Sequence, residues 1–310
     1  VNTNREGMDP MHKEWTVICA VVITVAAGTA AGAPWVVEGS PALQKDPAVI
    51  SGVTALREVV ERGDEAGVIS LELTPATAPD SAQVSEEEKA LVREATYRWT
   101  CRTEDKPVLE LTADAPVGIA YGLYALADLV ASRGTLPAGD SRRVAPALPY
   151  RALAAQSPVA STETGPETTS AALAETRRRC EVLCRNTLRY GYNFLVLSPS
   201  EDYMPWLGTR YQARSQKYLE HLGVLVEVAH AHHLRLLLMG DEFVYLPEYL
   251  EQYGAALSIK APQLWDALRG KYRDLFEAAP GLDGVATRIG EQIPRFEFRT
   301  LDVIHSMESM

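Results

Sequence analysis

From Tyr150 onward the chain alternates short apolar runs with long amphipathic segments, and this rhythm limits the available folds more than any other feature. The runs RALAAQ, NFLVLS, LRLLLM and GVATRI are short and almost uniformly apolar in their centres, as strands buried on both faces must be. Between them, apolar residues recur at helical spacing from about Ala171 to Tyr190, Ser215 to His233 and Gln263 to Ala279. Strand, long helix and strand make a βαβ unit with parallel strands. The pattern therefore predicts a parallel sheet, either doubly wound or curved into a barrel. No Gly-rich phosphate fingerprint follows any of the runs, which weakens the nucleotide-binding version.

The stretch from Pro34 to Ala147 has a different layout. GVISLEL reads as a strand, SEEEKALVREA as a helix capped by Ser85 with an acidic first turn, and TYRWTCRTE as a second strand. PVLELTADAPVGIAYGLYALADLVAS adds a strand, a turn at Pro116 and a helix with Ile119, Leu123, Leu126 and Leu129 on one face. These elements predict a small α/β domain over residues 34–147. LPAGDSRRVAPALP, rich in Pro, Gly and charge, reads as the linker to a second domain over residues 148–310. Upstream, residues 1–33 hold a short extension, then Met11-His12-Lys13, an apolar run from Trp15 to Ala27 and the small residues GTAAGA. That is a signal-peptide layout, with cleavage after Ala30 or Ala31, so a secreted or periplasmic protein is expected, the alternative being a retained N-terminal anchor.

A net charge of −11 and a pI near 5.1 argue against nucleic acid as a partner, because such binding needs clustered Lys and Arg. Four cysteines give no disulfide framework: Cys19 lies in the presumed leader, Cys101 stands alone, and Cys180 and Cys184 share one helical face, where core packing is expected. His230, His232 and His233 fall at a helix end, where cations complement the helix dipole. No acidic or cysteine partner stands at metal-ligand spacing from them, so neither a metal nor any other cofactor is expected.

In a barrel the chemistry sits at the C-terminal ends of the strands, and polar residues collect there: PSEDYMPW after NFLVLS, GDEFVYLPEYL after LRLLLM, and GEQIPR after GVATRI. Carboxylates and aromatics on Pro-rich connections suit a sugar-binding cleft, and glycosidic bonds are cleaved by paired carboxyl groups. Glu291 is the candidate catalytic acid, its alternative being a solvated or helix-capping glutamate. Asp241 and Glu242 are candidate substrate contacts or an N-cap pair. Tyr203 and Trp206 are candidate subsite residues, Trp206 equally a loop staple. Arg288 is placed to bind a uronate carboxylate or to form a structural ion pair.

The segment LELTADAPVGIAYGLYALADLV, with Gly118-Ile119-Ala120-Tyr121-Gly122, resembles the domain preceding the barrel in bacterial α-glucuronidases and β-N-acetylhexosaminidases. PYRALAAQSPV, LRYGYNFLVLS and LWDALRGKYRDLFEAAPGLDGVATRIGE are similar to the barrel segments that follow there, and the resemblance, over about residues 105–295, places Glu291 at the catalytic acid. It departs at Gly290-Glu291-Gln292, where the α-glucuronidases have Ser-Glu-Gly, and the acetamido-polarising Asp of the hexosaminidases is missing. What it implies is a small α/β domain followed by a (β/α)₈ TIM-barrel-like domain, here truncated after about four βα units, with an oligosaccharide or polysaccharide as substrate. The second catalytic carboxylate is not evident, so a catalytically degenerate carbohydrate-binding module and a structural envelope protein remain alternatives. Open strand edges in a half-barrel further predict a homodimer or aggregation of residues 34–310.

Overall fold

The computed structural model describes residues 35–60, 67–74, 85–103, 106–159, 168–240, 245–256, 258 and 260–287. Two sheets organise them. The first contains β1 (Val36–Glu38), β2 (Val68–Leu73), β3 (Tyr97–Thr103), β4 (Pro107–Ala113) and β5 (Ser141–Val144) in the order β1-β2-β4-β3-β5. β1, β2 and β4 are parallel, whereas β3 runs antiparallel to both β4 and β5. Its helices are α1 (Pro41–Lys45), α2 (Pro47–Val60), α3 (Glu86–Glu94) and α4 (Pro116–Arg133). The second sheet contains β6 (Ala152–Gln156), β7 (Phe194–Ser198), β8 (Arg235–Gly240) and β9 (Gly284–Thr287), all parallel and in chain order. Its connections carry α5 (Ser170–Arg189), α6 (Gln212–Ala231), α7 (Pro247–Gln252) and α8 (Pro262–Ala278).

The expected helices of the second sheet form to within a turn of the positions read from spacing. Ser85 caps α3 through a full capping box: its hydroxyl accepts from the Glu88 N–H at 3.2 Å, and the Glu88 carboxylate accepts from the Ser85 N–H at 2.8 Å. The supposed linker is not structureless, because it contains β5, which pairs Tyr97 with Val144 and Thr100 with Ser141. The strand escapes pattern recognition because it is an edge. Ser141, Arg142 and Arg143 are exposed, and such charge is how an edge strand avoids pairing with another chain.

Helix α4 is buried over every residue from Val117 to Tyr124. It can lie this close to the first sheet only because two of its residues lack a Cβ. A Cβ on Gly118 would stand 2.7 Å from the Glu94 carbonyl oxygen and 2.8 Å from the Ala113 Cβ, and one on Gly122 would meet Leu111 and Tyr97. Gly52 of α2 does the same where α2 crosses Leu123 of α4. On its other side α4 meets the second sheet's layer. The Tyr121 hydroxyl donates to the Tyr192 carbonyl at 2.8 Å just before β7, and burial pushes that phenol up to about 12. Arg189 of α5 pairs with Asp128 of α4 at 2.5 Å. The Gly-x-x-Tyr-Gly pattern is thus a packing device, with glycines toward one sheet and tyrosine toward the other.

Two further contacts fix the start of the second sheet and its link to the first layer. Asn193, buried before β7, accepts the Arg151 N–H at 2.8 Å and donates to the Pro149 carbonyl at 2.8 Å, tying the starts of β6 and β7 together. Asp46 caps α2 by accepting the N–H groups of Ala48 and Val49, at 3.0 and 3.1 Å, while its second oxygen meets His233 Nε2 at 2.6 Å. His233 stands between α6 and β8 with a left-handed φ of 57°.

Three variants check this packing. Gly118→Ala should lower stability by about 1–3 kcal/mol through overpacking, despite the ~1 kcal/mol that alanine gains over glycine in a helix. Gly223→Ala, at an exposed α6 position with open space around it, should show only the gain; urea unfolding distinguishes the two. Asp46 titrates below the usual aspartate range, because burial, which raises it, is outweighed by bonds from His233, Val49 and Ala48. A carboxylate depressed in the folded state stabilises above its unfolded value, about 3.9, and that stability is lost as pH falls through the folded value. Asp46→Ala should therefore cost about 1–2 kcal/mol near neutral pH, and its difference from the parent should vanish at low pH in urea titrations.

Candidate functional site

All four parallel strands end at the same edge of the second sheet. Gln156 is in register with Ser198, Leu197 with Leu238, and Gly240 with Thr287. Beyond β6 the Ser157 N–H donates to the Ser198 carbonyl at 2.8 Å, and beyond β7 the Ser200 N–H donates to the Met239 carbonyl at 3.0 Å. The chain leaving β7 is thereby folded over the end of β8 and enters a 3-10 turn, Glu201–Tyr203. Gly240 permits this close crossing. A Cβ there would strike the Ser200 hydroxyl and lie 2.5 Å from a Glu201 carboxylate oxygen. Glu201 is therefore held against the last residue of β8. Asp202, half-buried beside it, titrates above the usual aspartate range because burial disfavours its charge more than the nearby Arg214 guanidinium restores it.

Tyr203 and Trp206, offered by the sequence as substrate contacts, lie beneath the surface. Tyr203 is fully buried; its hydroxyl bonds to that of Ser157, and its ring meets Tyr218 edge to face at 5.9 Å. Burial pushes the phenol above its ordinary range. Trp206 is also buried, with Nε1 donating to the Glu201 carbonyl at 3.0 Å and the ring edge-on to Tyr249 at 5.6 Å. Its φ of 47° is unfavourable for a bulky residue, and the loop geometry holds it there. In this arrangement both side chains shape the loop after β7, and neither offers a ring face to a ligand.

A buried cation missed by the sequence reading lies behind this loop. Lys271 of α8 is 2% exposed, and its Nζ stands 5.7 Å from the centre of the Trp206 ring, 5.2 Å from that of Tyr245 and 5.8 Å from that of Tyr272. The loops after β7 and β8 thus converge on one ammonium group, each contributing an aromatic ring. Beside it Tyr249 donates to Asp274 at 3.0 Å, and burial, followed by the bond with Tyr253, pushes the Tyr249 phenol up. The sequence did hold a signal. Leu264, Leu268, Lys271 and Leu275 fall on one stripe of α8, so a lysine occupies a position where the helical period calls for an apolar residue.

Of the other candidates, Asp241, Glu242, Arg288 and Glu291 lie outside the described residues, as does everything before Trp35. Asp241 directly follows Gly240 and Arg288 directly follows Thr287, the paired ends of β8 and β9. The three histidines take three separate partners: His230 meets Asp283 at 2.8 Å, His232 donates from Nδ1 to the Val228 carbonyl at 2.8 Å, and His233 meets Asp46. Cys180 and Cys184 are fully buried with sulfurs 4.0 Å apart. Among the described residues no helix is long and apolar enough to cross a membrane.

Similarity to known proteins is visible in the structure alone. No known protein family matches the chain, and no curated protein does. Among solved structures, a GH138 enzyme targeting pectin rhamnogalacturonan II superposes with a TM-score of 0.54 at 17% identity, over 83% of this chain and 30% of its own. The chain has a glycoside hydrolase-like fold. A GH84 protein matches with a TM-score of 0.38 at 12% identity, over 86% of this chain and 42% of its own, and a Streptomyces plicatus β-hexosaminidase with 0.35 at 16%, over 63% and 40%. The chain thus spans less than half the length of each of these structures.

Replacing Lys271 with methionine, of similar length but uncharged, should cost about 1–2 kcal/mol in urea unfolding through loss of the desolvated cation–π contacts. It should also shift the emission of Trp206, which a Trp206→Phe background would identify.

Proposed function

We propose that this chain carries the substrate-binding edge of a glycoside hydrolase acting on uronate-bearing oligosaccharides or polysaccharides, with Glu291 as general acid. One observation supports the reading above others: a glycoside hydrolase-like fold brings the ends of β6 to β9 to one edge, and the acidic segments follow those ends in sequence. Glu201 is held over the end of β8, and Asp241 and Glu242 come next in the chain. Four residues after Thr287 comes Glu291, with Arg288 between them. In this reading Glu291 protonates the leaving glycosidic oxygen, carboxylates at the β7 and β8 ends accept sugar hydroxyls, and Arg288 pairs with the uronate carboxylate. The aromatic box around Lys271 positions the two loops rather than touching the sugar. The α-glucuronidase resemblance of residues 105–295 favours the uronate, and the GH138 enzyme's pectin target is compatible with an acidic polysaccharide. The apolar run from Trp15 to Ala27 supports action outside the cytoplasm.

Screening aryl glycosides and glucurono-oligosaccharides with the chain should show turnover that falls at least about 100-fold in Glu291→Gln, as expected for losing a general acid, while binding persists. Saccharide binding without turnover, unchanged by Glu291→Gln, would instead identify a non-catalytic carbohydrate-binding module.

A further inference from the structure

A polar cavity lies where α2 and α4 of the first sheet meet the C-terminal half of α5 and the end of α6, the ends of those helices that lead into the starts of β7 and β8. It measures about 560 Å³, within the range of small-ligand sites. Its lining is not that of an accidental gap between helices. Arg185 projects into it from α5 and makes no hydrogen bond or ion pair with any described residue. His232 lines it from the end of α6 although only 6% exposed. The Nδ1 of that histidine faces the Val228 carbonyl, which can only accept, so Nδ1 carries the proton and Nε2 is left as an acceptor. Glu58 and Glu181 add carboxylate acceptors, Asn186 adds an amide, and Ile50, 47% exposed, gives an aliphatic floor.

We propose that this cavity is a binding site for a sugar acid, separate from the strand-end site, with Arg185 gripping the carboxylate and Glu181, Glu58 and His232 accepting hydroxyl protons. The chemistry of the lining selects that class. A free guanidinium is a planar two-donor fork suited to one carboxylate. Several acceptors around it suit a molecule rich in O–H donors and disfavour a phosphate or a second anion. The exposed isoleucine offers a surface to the C–H face of a pyranose. Burial holds His232 below the usual histidine range, so its imidazole is neutral and keeps the acceptor at physiological pH. Because the walls come from helices packed on both sheets, occupancy would add a bridge between them beside the Arg189–Asp128 pair.

The test uses the whole chain with ¹³C-methyl-labelled isoleucine, Ile50 serving as the reporter inside the cavity. Millimolar D-glucuronate should shift the Ile50 methyl resonance. D-glucose, which lacks the carboxylate, and Arg185→Gln should each weaken that response at least about tenfold, the factor expected for losing one charge-assisted contact. Arg185 is exposed, so its replacement should leave the spectrum otherwise intact, and Arg185→Lys should restore part of the response. An Ile50 methyl that does not move overturns the proposal, as does equal response to glucose and glucuronate or a response unaffected by Arg185→Gln. The strand-end reading is judged apart. Turnover abolished by Glu291→Gln with an unmoved Ile50 removes this cavity alone, whereas an Ile50 response that requires Arg185 in a chain without turnover removes the activity alone.

Discussion

The architecture depends on covering helix α4. From Val117 to Tyr124 every residue of the helix is buried, so over these two turns something must pack on each of its sides. The first sheet takes the side carrying Gly118 and Gly122, α2 takes the flank at Gly52 and Leu123, and α5 takes the remainder. The missing Cβ atoms let the backbone of α4 approach β3 and β4 closely, which increases the apolar area excluded from water. Since α5 also covers β7, the placement of α4 sets the position of the second sheet. The Tyr121–Tyr192 hydrogen bond and the Arg189–Asp128 pair hold this arrangement in orientation more than in energy, the latter pair being half-exposed.

The strand-end edge follows from that packing. Parallel strands in register must all finish on one side, so the segments that follow them in sequence all start from that edge. Closeness has a steric condition, met at Gly240, where the absence of a side chain lets Ser200 and Glu201 cross the end of β8. The loop that makes this crossing is held from behind by aromatic packing on Lys271. A buried ammonium without solvent is costly unless compensated, and three ring faces supply part of that compensation. The positions of Glu201 and Asp202 therefore rest on a residue of α8 that is far from them in sequence.

The repeated βαβ rhythm was legible because its cause is local. Parallel strands buried on both faces need continuous apolar runs, and their helices need one apolar stripe, so each element declares itself within its own few turns. Ser85 was readable as a cap for the same reason, and the structure completes it with Glu88 three residues on. β5 was not readable, because its stability comes from hydrogen bonds to β3 and its side chains face water. Lys271 was overlooked although its place on an apolar stripe marked it, and the rings that surround it come from loops after two different strands.

By itself, then, the sequence determined the class of fold and the βαβ succession of the second sheet, since these follow from periodicity and capping over short distances. Only the tertiary structure decided which of the marked side chains face outward. Tyr203 and Trp206 stand in a polar loop, yet Ser157, Tyr218, Tyr249 and Lys271 converge on them and close them off from solvent. His232, which resembled its two neighbours in sequence, lines a cavity whose other walls come from three other helices. Burial is a property of what arrives from elsewhere in the chain, and no local pattern records which distant residues will arrive.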